Sequence, residues 1–98
     1  MAVLMTMKIK ADGARVEAAD RTMMLSIVEK AKEHGLISHH FYGSGAQVLV
    51  VDEWPDEASF RAFYESAPEI QKVMGEAGVT SEPEITFWRH LDVGDDVG

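Results

Sequence analysis

A short apolar run in the middle of the chain, VLVV at residues 48–51, places the strongest constraint on the fold. It lies in a predicted strand from Gln47 to Trp54, which Pro55 ends. Successive side chains of a strand point to opposite faces of the sheet, so this run is apolar on both faces. Such a strand is covered on both sides. The fold must therefore place one layer against each face of the sheet.

The residues before this strand show first the period of a strand and then that of a helix. Residues 3–11 alternate between apolar and mixed side chains, which predicts a strand with one buried face. Residues 16–34 carry apolar side chains three and four apart, which predicts an amphipathic helix closed by Gly35. Asp20 alternatively caps a helix that begins later. Residues 37–42, ISHHFY, predict a second strand, and the GSG turn that follows joins it to the third.

The second half of the chain predicts helical segments followed by a last strand. Asp56 is the predicted N-cap of a helix. One face of that helix carries Phe60, Phe63 and Tyr64. Pro68 opens a further short helix that Gly78 closes. Residues 85–91, ITFWRHL, predict a fourth strand.

This order of elements predicts an α+β protein with a ferredoxin-like βαββαβ sandwich. We expect one domain over residues 1–92 and an acidic, flexible tail over residues 93–98. The helices can cover only one face of a four-stranded sheet. A second copy of the chain is the simplest cover for the other face, so the sequence predicts a homodimer.

Charge and composition exclude several classes of partner. The chain has 17 acidic residues against 9 lysines and arginines, a formal charge of -8, and no basic cluster, which argues against binding to nucleic acid or to an anionic membrane. No apolar run approaches the roughly 20 residues needed to span a bilayer. The chain has no cysteine and its start does not resemble a signal peptide, so we expect a cytoplasmic protein.

Several segments together point to a known family. The order of elements, with GLISHHFY, VLVVDEWPDEASFRAF, PEIQKVMGEAGV and PEITFWRHL, resembles the dimeric α/β-barrel superfamily, especially the antibiotic-biosynthesis-monooxygenase-like group. The resemblance implies two sheets that form a barrel across a dimer, with a pocket in each subunit between its sheet and its helices. The superfamily includes cofactor-free quinone-forming oxygenases and haem-degrading enzymes, so the resemblance predicts the fold more narrowly than the function.

The haem-degrading branch differs from this chain at the residues that matter. In that branch the resemblance implies an Asn on the first strand, a Trp at the end of the third and a His on the next helix. Trp54 matches the Trp, but Phe63 stands where the His would be, and the first strand contains no Asn. The sequence therefore argues against haem degradation, and we predict no cofactor.

A cofactor-free oxygenase needs an apolar pocket for an electron-rich phenol and groups that stabilise its anion. The candidate catalytic residues are His39, His40, Tyr42 and Arg89. The candidate pocket residues are Trp54, Phe60, Phe63, Tyr64 and Trp88. A histidine facing the pocket could serve as a general base, although histidines that face solvent or are hydrogen-bonded are more common. Core packing at the edge of the pocket is the competing role for Trp54.

Neither the histidines nor the neighbouring acids form a metal site. His39 and His40 are adjacent on a strand and point to opposite faces, so they cannot readily bind one ion, and we predict no metal. Asp52 and Glu53 also point to opposite faces, so one of them is expected to brace a basic group or the helix start. If Arg89 shares a face with Ile85 and Phe87, it needs an anion or a carboxylate partner.

The leading hypothesis is a homodimer with an apolar pocket that acts as a cofactor-independent monooxygenase on an aromatic or polyketide-like small molecule. A non-catalytic module that binds a small apolar or aromatic ligand is one alternative. A structural homodimer, in which the aromatic residues only fill the core, is the other.

Overall fold

The computed structural model describes residues 2–76, 78–79 and 82–98. In chain order its elements are β1 (Val3–Lys10), α1 (Gly13–Glu17), α2 (Arg21–Glu33), β2 (Ser38–Ser44), β3 (Gln47–Trp54), α3 (Glu57–Ser66), α4 (Glu69–Glu76) and β4 (Glu84–Trp88).

The four strands form one antiparallel sheet in the order β2-β3-β1-β4. The strands β1 and β2 run parallel to each other with β3 between them, which is the split βαβ arrangement. At the centre of the sheet Met7 lies opposite Val50 on one side and Ile85 on the other. The predicted ferredoxin-like α+β fold is confirmed.

The core lies between the sheet and the helices. Alternate residues of β1 and β3 face the helices, and Met5, Val48 and Trp54 are among the most deeply buried of all. From α3, Phe60 packs edge-on against Trp54, with ring centroids 5.7 Å apart. The one-turn spacing of aromatic residues in α3 places them over the end of β3, as the sequence predicts.

The opposite face of the sheet is far more exposed. It carries large apolar side chains from three strands: Leu4 is 41% exposed, Tyr42 56% and Trp88 52%. Val51, at the centre of this face, is half-buried. The two-faced apolar character of β3 is therefore satisfied on the helix side only.

The helical region before β2 differs from the single helix predicted over residues 16–34. It forms two helices, because two aspartates each cap a new start. Asp12 accepts a hydrogen bond from the Ala14 backbone N–H at 2.9 Å, and Asp20 accepts one from the Thr22 N–H at 2.9 Å. The alternative that Asp20 caps a later helix is therefore the correct one. Gly35 follows α2 with φ of 101°, as expected of a left-handed C-cap.

The last strand is shorter than predicted. It ends at Trp88 instead of residue 91, and Leu91, Val93 and Val97 beyond it are exposed. His90 Nε2 lies 3.1 Å from a carboxylate oxygen of Asp96, which joins the tail to the end of the strand. The domain boundary at residue 92 stays a prediction.

Candidate functional site

A cavity of about 100 Å³ lies between the helix-facing side of the sheet and the helices. Its floor is formed by β1, β2 and β3, and its other walls by the helices. The apolar periodicity of β1 and of α2 directs their side chains into this space. The walls include four methionines, namely Met5, Met7, Met24 and Met74. The cavity is therefore apolar over nearly all of its lining.

One polar pair interrupts this lining. His39 on β2 and Asp52 on β3 are cross-strand partners, and both face the cavity. The Nδ1 atom of His39 lies 2.6 Å from Oδ1 of Asp52. The indole Nε1–H of Trp54 donates to the second oxygen, Oδ2, at 3.2 Å. Both oxygens of this buried carboxylate therefore have a partner.

These bonds assign a tautomer to the imidazole. An ionised carboxylate can only accept hydrogen bonds, so His39 donates its Nδ1–H to Asp52. The Nε2 atom of a neutral ring then carries a lone pair. The edge-to-face contact with Phe41, at 4.9 Å between ring centroids, further limits how the imidazole can turn. The side chain of His39 is 25% exposed, so a molecule in the cavity mouth can reach it.

The predicted aromatic residues of α3 lie at this cavity. Phe60, Phe63 and Tyr64 line it, and Phe60 stacks on Tyr64 with centroids 5.4 Å apart. Trp54 lies behind this lining, fully buried, in contact with Phe63 at 5.5 Å between centroids. Its position combines core packing with a hydrogen bond to the polar pair.

Four other predicted site residues lie away from the cavity. His40 and Tyr42 are exposed on the opposite face of the sheet, because β2 alternates and His39 faces the helices. Trp88 is on that same face, where its Nε1–H donates to Thr6 Oγ1 at 2.9 Å. Arg89 follows the end of β4 and is exposed. It does not share the buried face of Ile85, so it needs no buried anionic partner.

The residue that sequence reasoning missed is Asp52. The sequence shows which face of β3 carries Asp52, because the even positions of this strand also carry Val48, Val50 and Trp54, which face the core. The sequence does not show that His39 is its partner, since their pairing depends on the register between β2 and β3. The expectation that one acid of the pair braces a basic group is met by Asp52.

The described residues contain neither a metal centre nor a membrane-spanning helix. Across residues 2–76, 78–79 and 82–98, no three side chains of His, Asp or Glu gather as a metal site would require. Among the helices that the structure describes, none has the length and apolarity to cross a membrane.

Comparison with known proteins gives matches of structure only. No family model and no curated protein compared matches the chain. A monooxygenase from the gene ActVA-Orf6 of Streptomyces coelicolor, solved with the ligand nanaomycin D, matches with a TM-score of 0.72 at 16% identity, over 97% of this chain and 93% of that one. SnoaB, a cofactor-independent oxygenase of Streptomyces nogalater, matches with a TM-score of 0.64 at 12% identity, over 97% and 98%. Rv0793 of Mycobacterium tuberculosis matches with a TM-score of 0.63 at 14% identity, over 97% and 100%.

At these identities the similarity establishes the fold. The chain has the fold of the antibiotic-biosynthesis-monooxygenase-like proteins, and the resemblance found in its sequence is confirmed at that level.

Proposed function

We propose that this protein is a cofactor-independent monooxygenase that converts an electron-rich hydroxyarene into a quinone. The observation that carries the proposal is the hydrogen-bonded pair of His39 and Asp52 in the wall of an otherwise apolar cavity. Structural similarity to a monooxygenase and to a cofactor-independent oxygenase supports it. A lone base among apolar walls suits a substrate that must be deprotonated and kept from water.

In the proposed reaction His39 Nε2 removes the proton of the substrate hydroxyl. Asp52, at 2.6 Å from Nδ1, stabilises the imidazolium that forms. The phenolate is electron-rich and is oxidised by O₂. One oxygen atom becomes the second carbonyl of the quinone. The other leaves as water with the two hydrogens that the substrate loses, one from its hydroxyl and one from its ring carbon.

Asp52 and Trp54 act as positioning residues in this scheme. The hydrogen bond from Trp54 Nε1–H to Asp52 Oδ2 fixes the orientation of the carboxylate, and the carboxylate in turn fixes the orientation of the His39 imidazole. A base that is already oriented contributes to rate because its geometry need not be organised during the reaction.

We further propose that the protein works as a homodimer through the exposed face of the sheet. That face carries Leu4, Tyr42 and Trp88, all large and all substantially exposed. A second copy placed by a two-fold axis would cover the same face of both subunits at once. The apolar run in β3 supports this arrangement, since its odd positions are only partly buried by the single chain.

The test of the reaction compares two histidines. His39→Gln removes the base, whereas His90→Gln changes an exposed ring beyond the end of β4, where its partner is Asp96 in the tail. Incubation with 1-naphthol in air, followed by quinone absorbance and oxygen uptake, should show turnover in the parent protein. We expect His39→Gln to lower the rate by about 100-fold or more, as removal of a general base does, and His90→Gln to leave it unchanged.

The outcomes separate the competing functions. Equal rates for the two variants would overturn the role of His39 as the base. Binding of hydroxyarenes by the parent protein without any oxygen uptake would favour the non-catalytic binding module. A protein that binds none of them would favour the structural homodimer.

A further inference from the structure

The volume of the cavity limits the size of its ligand. About 100 Å³ is free between the sheet and the helices. An apolar cavity of roughly 150 Å³ is known to take up a benzene molecule, and pockets for larger ligands run to several hundred Å³. The space that these walls leave is therefore tight even for a single aromatic ring, and a rigid system of three fused rings exceeds it.

The methionines make part of this limit adjustable. Met24 on α2 and Met74 on α4 contribute to the helical wall, and both are half-buried. An unbranched thioether side chain fills irregular space, changes rotamer at little cost and makes favourable contacts with aromatic rings. The helix α4 contains no fully buried residue, so its side chains have room to move. One or two fused rings can be admitted by moving these two side chains.

The charges around the cavity limit the chemistry of the ligand. Among the described residues that line it, none is a lysine or an arginine, and the acid present is Asp52. Both oxygens of Asp52 are occupied, by His39 and by Trp54. A carboxylate on the ligand would lose its water without gaining a lysine or arginine partner, and the neutral ring of His39 presents to it only the lone pair of Nε2, so its burial is costly. A hydroxyl placed at His39 avoids this cost, because the proton it gives up stays on the imidazole beside it.

We propose that the substrate is an uncharged hydroxyarene of one or two fused rings, whose size limit is set by Met24 and Met74. Its hydroxyl lies at His39 and its rings lie against the methionines. The position of the hydroxyl rests on the proposed function, whereas the limits on size and charge rest on the cavity alone.

The experiment measures binding separately from turnover. Isothermal titration calorimetry on the full chain, at neutral pH and with oxygen removed so that no turnover occurs, uses three probes, namely 1-naphthol, 1-naphthoic acid and 1-hydroxyanthracene. We expect 1-naphthol to bind at least about tenfold more tightly than either of the others, a difference of roughly 1.4 kcal/mol. Equal affinity for 1-naphthoic acid would overturn the limit on charge. Equal affinity for 1-hydroxyanthracene would overturn the limit on size, and binding of none of the probes would overturn both.

A pair of variants tests the assignment to the methionines. Met24→Ala should raise the affinity for 1-hydroxyanthracene relative to 1-naphthol by about tenfold. Leu25→Ala removes a neighbouring apolar side chain that is 64% exposed, and it should leave the ratio unchanged. Met74→Ala is the second test should Met24→Ala fold poorly. An unchanged ratio in every folded methionine variant would overturn the assignment.

The same data distinguish this inference from the proposed function. Selective binding of 1-naphthol without quinone formation in air would leave the ligand class standing and remove the monooxygenase. Turnover of three-ring or carboxylated substrates at the rate of 1-naphthol would support the monooxygenase and overturn the limits on the size and charge of its substrate.

Discussion

At the scale of single residues, the structure depends on how one buried charge is accommodated. Asp52 is the one polar or charged residue that is fully buried among those described. A buried carboxylate without partners is strongly unfavourable. Here His39 bonds to one oxygen and Trp54 to the other. The same two bonds that make the charge tolerable also orient the candidate base.

Removing the carboxylate should therefore destabilise the protein. Asp52→Ala leaves the Trp54 indole N–H buried without an acceptor, and we expect the free energy of unfolding to fall by about 1–3 kcal/mol. Glu53→Ala is the matched control, because Glu53 is the next residue and points to the other face of the sheet. Urea denaturation of both variants measures the difference. Equal stability of the two would contradict the role of Asp52 as an acceptor.

The sequence predicts some of this site and misses the rest for a physical reason. His39 and Trp54 were candidates because of their chemistry and because they lie in predicted strands. The segment SHHFYGS of β2 lacks a clean apolar alternation, so its inward face cannot be read from the sequence, and His40 was an equal candidate. Trp88 is also predicted at the pocket, but it is opposite in parity to Ile85 and Phe87 and lies on the other face of the sheet.

At the scale of elements, Gly35 controls how α2 passes into β2. Its φ of 101° is in a region that L-residues rarely adopt, and a Cβ there would lie 2.9 Å from Pro55 Cγ. Gly35→Ala should lower the free energy of unfolding by more than about 1 kcal/mol. Gly43→Ala is the control, since a Cβ at Gly43 meets nothing within 4 Å and its φ is not positive. Thermal denaturation that ranks Gly43→Ala as the less stable variant would refute this reading.

The start of α3 should make stability depend on acidic pH. The backbone N–H and the hydroxyl of Ser59 each donate a hydrogen bond of 2.8 Å to the carboxylate of Asp56. These two bonds, the backbone one most strongly, hold the pKa of Asp56 below its ordinary value of 3.8. Because the pKa of Asp56 is lower in the folded protein than in the unfolded chain, the charged carboxylate stabilises the fold. This contribution is fully present above pH 3.8 and is lost as the pH falls through the pKa of Asp56 in the folded protein. Asp56→Asn keeps an oxygen that can cap the helix but has no proton to release.

We therefore expect the parent protein to lose its advantage over Asp56→Asn as the pH is lowered. Urea denaturation of both proteins, from neutral to strongly acidic pH, measures the gap directly. A gap that stays constant down to the most acidic pH would show that the charge on Asp56 contributes nothing.

The elements themselves follow closely from local pattern. The bounds of β3 are those predicted, and α3 begins just after its predicted cap, because Pro55 and Asp56 mark the junction chemically. The predicted single helix over residues 16–34 was wrong in its first part. The apolar stripe runs on through residues 18–20, but Asp12 and Asp20 cap two separate helices, and the chain turns between them. Periodicity reports which side chains face the core, and capping decides where the backbone turns.

At the scale of the whole molecule, the two faces of the sheet differ in what covers them. One face is packed against α1–α4 and holds the cavity. The other presents aromatic and aliphatic side chains from β1, β2 and β4 around the half-buried Val51. Exposed apolar patches of this kind usually mark an interface between proteins. The His39–Asp52 pair lies on the packed face, and both described partners of Asp52, His39 and Trp54, belong to the same chain.

A charge at the centre of the exposed face should separate the proposed dimer. Val51 lies opposite Thr6 on one side and His40 on the other, so Val51→Glu places a carboxylate in the middle of the interface. Without a partner for that charge, association becomes unfavourable. Leu25→Glu is the control, because it adds the same charge at an exposed helical position.

Native mass spectrometry at micromolar concentration should show a dimer for the parent protein and for Leu25→Glu, and a monomer for Val51→Glu. The monomer should keep its far-ultraviolet circular dichroism, since Val51 points away from the core of its own subunit. A parent protein that is itself a monomer would rule out the dimer altogether. A Val51→Glu variant that remains a dimer would place the interface elsewhere, and the apolar residues around Val51 would then need another partner.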